Sequence, residues 1–104
     1  MNKGIKFDND KPKLADFLED FKDVIFELYK VYEFGTNKYG RENWKQVENG
    51  KDRFSNALIR HFLKDGVDDE TGINHQTHTA YNALMRLYFI LQEENGNENQ
   101  RGSI

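Results

Sequence analysis

The strongest constraint on this chain is an apolar rhythm of three and four residues that returns three times. Phe17, Leu18, Phe21, Val24, Ile25, Leu28, Val31 and Tyr32 follow it first. Residues three and four apart share one helical face, so the spacing predicts an amphipathic helix from about Asp16 to Phe34. Asp16 is the expected amino cap and Gly35 the expected carboxyl cap. Phe54, Ala57, Leu58, His61 and Phe62 predict a shorter helix over about Asp52 to Lys64, closed by Asp65-Gly66. Ala80, Ala83, Leu84, Leu87 and Leu91 predict the longest helix, from about Asn74 to Glu93. Strand signals are weak, and the best of them, Gly4-Ile5-Lys6-Phe7, runs into a turn-rich segment ending at Pro12. The expected fold is all-α, with three main helices and a long glycine- and aromatic-containing loop.

The chain has 104 residues, which fits one domain, taken as residues 1–94 with a polar, mobile tail over 95–104. A domain of this size buries only about two-thirds of its unfolded surface. Three helices also cover one another poorly, so a homo-oligomer completing a helical bundle is expected. There are no cysteines, which removes disulfides, thiolate metal sites and cysteine nucleophiles. A net charge of -3 argues against a surface built for a nucleic-acid polymer but leaves room for a small nucleotide. No run approaches the ~20 apolar residues of a membrane span, and the amino terminus lacks a signal-peptide core. The expected location is the cytoplasm, that of the host if the chain is phage-encoded.

Chemistry concentrates in two places. On the third helix His75, His78, Asn82 and Arg86 fall on one stripe, directly after the acidic turn Asp68-Asp69-Glu70-Thr71-Gly72. The turn also reads as a helix cap, and paired histidines also read as structural. Asn82, set among apolar neighbours, either bonds a buried backbone group or faces a polar pocket. The other place is Gly35 to Trp44, where Lys38 and Arg41 can pair phosphate oxygens and Tyr39 or Trp44 can cover a base. An ordinary connection with Trp44 tucked into the core is the plainer alternative. On the second helix Arg60 can reach an anionic ligand, and His61, on the apolar face, reads by default as a satisfied core histidine.

Several separated motifs occur in a fixed order: Gly4-x-Lys6-Phe7-Asp8 with Lys11-Pro12; Phe34-Gly35-x-x-Lys38-Tyr39-Gly40-x-x-Asn43-Trp44; Ala57-x-x-Arg60-His61; and Asp68-x-Glu70-Thr71-Gly72-x-x-His75-x-x-His78-x-x-x-Asn82-Ala83. Over residues 4–91 this order resembles the phage-associated dATP/dGTP diphosphohydrolase amino-terminal domain family. The resemblance implies a small helical domain linked to deoxynucleotide metabolism. It also implies a distant similarity to all-α nucleotide pyrophosphohydrolases, which use magnesium to split a nucleoside triphosphate into monophosphate and pyrophosphate. Those enzymes carry paired carboxylates, whereas this chain has histidines and an asparagine on its third helix. Its nearest acidic ladder is Asp16, Glu19, Asp20, Asp23 and Glu27 on the first, which reads mainly as a solvated face.

Phosphoryl chemistry needs neutralised oxygens and an oriented water. Asp68 and Glu70 are therefore the expected ligands of Mg2+ or Mn2+, with Glu70, His75 and His78 as the catalytic set. Lys38, Tyr39, Trp44, Arg60 and Asn82 are the expected substrate-binding set. The leading expectation is a metal-dependent purine deoxynucleoside triphosphate pyrophosphohydrolase. Two alternatives stand beside it: a non-catalytic phage anti-defence protein that sequesters a nucleotide-derived, even cyclic, immune signal, and a protein-interaction module.

Overall fold

The computed structural model describes residues 11–102, with side chains described through residue 96. The weak strand signal at residues 4–7 and the Gly4-x-Lys6-Phe7-Asp8 motif lie outside that range. The fold is all-α: α1 (Leu14–Asp20), α2 (Lys22–Tyr39), a short 3-10 turn (Asn43–Gln46), α3 (Gly50–Phe62) and α4 (His75–Gly102). Among the described residues the β structure amounts to one isolated bridge, Val67 with Asn74. No described helix is long and apolar enough to cross a membrane.

The first periodic segment is two helices rather than one. Phe21 departs from helical geometry (φ -111, ψ 16) and separates α1 from α2. Its amide still bonds the Phe17 carbonyl at 3.2 Å, and its carbonyl accepts from Ile25 at 2.9 Å. The ladder thus crosses the joint, which bends the axis without opening a loop. The amino cap is Lys13, with Asp16 in the first turn, where a carboxylate favours the positive end of the helix dipole.

At the other end α2 runs through Gly35 to Tyr39. The stop comes at Gly40, whose φ of 92 suits only glycine and whose amide closes on the Thr36 carbonyl at 2.8 Å. Much of the expected long loop is therefore helical. The third periodic segment also runs further than expected, since α4 continues through the segment assigned to the polar tail as far as Gly102. That stretch contains no proline to stop it.

α3 and α4 pack through aromatics. Phe54 of α3 stacks on Phe89 of α4 at 5.8 Å, and Trp44 meets Tyr88 edge-on at 4.6 Å. Gly50, at the start of α3, is buried beneath Phe89, and a Cβ there would sit 2.6 Å from the ring. The buried stripe of α4 is His75, His78, Tyr81, Asn82 and Met85, with the helical spacing expected of a core face. The arm formed by α1 and the first half of α2 differs, with Leu14, Phe17, Phe21, Val24 and Phe26 all exposed. A Cα radius of gyration of 18.4 Å reflects this splayed arm, against about 13 Å for a compact chain of 100 residues.

Candidate functional site

The turn between α3 and α4 builds the site. Asn74 caps α4, its Oδ1 accepting from the Gln76 amide at 2.7 Å. The Gln76 side chain in turn donates to the Lys64 carbonyl at 3.0 Å, tying the start of α4 to the end of α3. Between them the chain doubles back. Asp68 N bonds Ile73 O at 2.9 Å and His75 N bonds Gly66 O at 2.9 Å, with Gly66 (φ 79) and Gly72 (φ 71) taking the left-handed positions. This fold-back drops His75 onto His61.

All three histidines of the chain therefore meet. His61 Nδ1 lies 2.8 Å from His75 Nδ1, and the His61 ring stacks on His78 with centroids 4.4 Å apart. Burial lowers the affinity of His61 for a proton, and its imidazole neighbours His78 and His75 lower it further. His78 is also pushed down, chiefly by burial.

Asp68 is held by Thr71. Its Oδ1 accepts from the Thr71 amide at 2.9 Å and from the Thr71 hydroxyl at 3.2 Å. The amide bond is the main reason its pKa falls below the usual carboxylate value, so it is ionised at neutral pH. The same hydroxyl accepts from Ile73 N at 3.2 Å and lies 2.8 Å from His78 Nε2. Since its one proton goes to Asp68, the network assigns the His78 proton to Nε2, which donates to Thr71.

Beside this cluster lies a cavity of about 320 Å³. Lys38, Tyr39 and Trp44 line one side, and Glu70, His61, His78 and Asn82 line the other. Lys38 donates to Glu70 at 2.8 Å across the mouth, and this bond is the main reason its ammonium holds its proton more tightly than usual. Trp44 fits both readings, since it packs on Tyr88 and faces the cavity. So does Asn82, whose amide donates to the His78 carbonyl at 2.8 Å while the residue also lines the cavity.

Other expected residues fall elsewhere. Arg60 lines a neighbouring depression of about 410 Å³ with Arg53 and Asn56. Arg86 is exposed and donates to Ser55 Oγ at 2.7 Å. His75 adjoins the cavity through His61 rather than lining it. In the acidic ladder of α1 and α2, Glu19 pairs with Lys22 at 3.0 Å and Glu27 pairs with Lys30, both on the surface.

A group able to hold a divalent ion is present, but with a different membership from Asp68 and Glu70. Ligand atoms of His61, Asp68 and His75 all lie within 4.8 Å of one another, while Glu70 turns to Lys38. His61 is the member that sequence reasoning assigned to the core. Its place in the Arg60-His61 motif was the available signal.

A family model described as dATP/dGTP diphosphohydrolase, N-terminal, matches residues 1–99. A dATP/dGTP diphosphohydrolase of Salmonella phage PMBT28 is 34% identical, over 96% of this chain and 34% of its own length. The chain thus spans about a third of that relative. No solved structure matches. The family match along nearly the whole chain identifies it as a member of the dATP/dGTP diphosphohydrolase N-terminal family.

Proposed function

We propose that the chain binds a purine deoxynucleoside triphosphate in the aromatic cavity and hydrolyses it to the monophosphate and pyrophosphate. One observation carries this reading. Lys38 and the aromatics around the end of α2, and Glu70 with the imidazoles of His61 and His78, distant in sequence, line one cavity. The choice of purine deoxynucleotide draws on the name of the phage relative.

In this reading Tyr39 and Trp44 cover the base, and Lys38 takes a phosphate oxygen. The Lys38–Glu70 pair is exposed on both sides, so an incoming polyphosphate can displace it at little cost. Arg60 reaches the outer phosphates from the neighbouring depression. Water attacks the α-phosphorus, the α–β bridging bond breaks and pyrophosphate leaves. Glu70 and His78, which line the cavity, orient the water and accept its proton, with His75 behind them against His61. A bound divalent ion supplies charge neutralisation on the phosphoryl oxygens.

The test is pyrophosphate release from each deoxynucleoside triphosphate with manganese or magnesium. Release that His78→Ala abolishes supports the reading, and no release with any nucleotide overturns it. One observation favours a second reading, a binder that sequesters a nucleotide-derived signal. Among the described residues Glu70 is the single carboxylate lining the cavity, and Lys38 already holds it. A nucleotide that raises the melting temperature and is recovered intact selects this alternative. The exposed apolar arm fits self-association in either case.

A further inference from the structure

Two imidazole nitrogens 2.8 Å apart need something between them, because facing lone pairs repel. A shared proton is the minimal answer. The surroundings supply reasons for an ion instead. An ionised carboxylate, Asp68, lies in the same group, fixed through Oδ1 by Thr71 as outer-shell partners fix metal ligands. His75 is buried, at 7% exposure, so its ring cannot leave the contact for solvent.

The spacing is also compatible with an ion. With metal–nitrogen bonds of about 2.0–2.1 Å, ligands at right angles stand about 2.9 Å apart and ligands at the tetrahedral angle about 3.4 Å. The observed 2.8 Å fits neighbouring positions on a five- or six-coordinate ion. Drawing Asp68 onto the same ion takes a side-chain adjustment, since one of its oxygens already lies within 4.8 Å of a ring nitrogen of each histidine. Two histidines and one carboxylate on one face leave the remaining positions open.

Magnesium does not fit this donor set. It takes oxygen ligands and keeps much of its water, whereas two of these three atoms are imidazole nitrogens. We propose that His61, Asp68 and His75 form a facial two-histidine, one-carboxylate site for a first-row transition-metal dication, adjoining the nucleotide cavity and selective against magnesium. Toward this ion His78 and Thr71 act as positioning residues. Thr71 orients Asp68, and the stacked His78 ring holds His61 in place.

The test uses the whole chain without a histidine tag, freed of metal by chelation and titrated with Co2+ alone. Its outcome is therefore separate from that of nucleotide turnover. Visible absorption should show d–d bands saturating at one equivalent, and millimolar Mg2+ should leave them unchanged. His61→Ala, His75→Ala and Asp68→Asn should each remove saturable binding. Thr71→Ala should weaken it by about 10–100-fold, as loss of an outer-shell partner does. Failure to bind, displacement by Mg2+, or unchanged affinity in folded ligand variants would overturn the site. Imidazole 15N resonances of the wild type with Zn2+ give a readout that needs no variant. Shifts at Nδ1 of both His61 and His75 support the site, and their absence rejects it.

Discussion

The two halves of this molecule solve the burial problem differently. Where α3 meets α4, side chains close over one another: Met85 is 5% exposed, Phe54 stacks on Phe89, and Gly50 lets the ring of Phe89 approach the backbone. In the arm, Phe26 is 65% exposed and Leu14 73%. The candidate site draws its imidazoles from the closed half, and the end of α2, beyond the arm, adds the cavity wall that carries Lys38 and Tyr39. The contrast separates residues that hold the site from residues free to meet another surface.

Removing a core side chain should show the contrast most strongly. Met85→Ala should cost about 2–5 kcal/mol in urea unfolding, because it leaves a void where the helices touch. A loss near zero would mean that the closed half is not the stabilising one. Gly50→Ala should cost about 1–3 kcal/mol by the same measurement, since its new methyl must displace Phe89 from an aromatic cluster.

Titration should probe the closed half from both sides of neutrality. The Tyr81 hydroxyl is pushed up to about 12, first by burial, so the folded state keeps its proton longer than the unfolded chain. Its contribution is whole below the ordinary value of 10.0 and is lost as the pH rises through about 12. His61 and His78 are lowered from 6.5, so the unfolded chain takes up protons first and the metal-free protein loses stability as the pH falls below that value. Thermal melts from acid to alkaline pH should show both flanks.

Phe26→Ser should change the unfolding free energy of a monomer by no more than about 0.5 kcal/mol, as exposed substitutions do. If the arm is the surface of a homo-oligomer, the same variant should lower the mass found by light scattering towards the 12.3 kDa of one chain. A wild type that is itself monomeric would remove that role from the arm. The smallest stability effect belongs to Lys38→Gln, which should leave the melting point unmoved while weakening nucleotide binding.

Much of this architecture could be read from the sequence, because helix faces are written in apolar spacing. The stripe through His75, His78 and Asn82 follows from that spacing alone. What could not be read depended on tertiary contact or on a local backbone angle. Gly35 looked like a helix stop, but its backbone is helical and only Gly40 needs the positive φ. The joint at Phe21 has neither glycine nor proline to announce it. His61 looked like a core residue because its apolar neighbours share its face. Only the doubling back of residues 63–74 brings His75 against it, and no periodicity encodes that.

Asn82 stands in the partition between the two hollows, for it lines both the aromatic chamber and the arginine-flanked one. A guest in either room presses on the same amide. That amide donates to the carbonyl of His78, so the wall between the two rooms is fixed to the same helix turn that carries the imidazole.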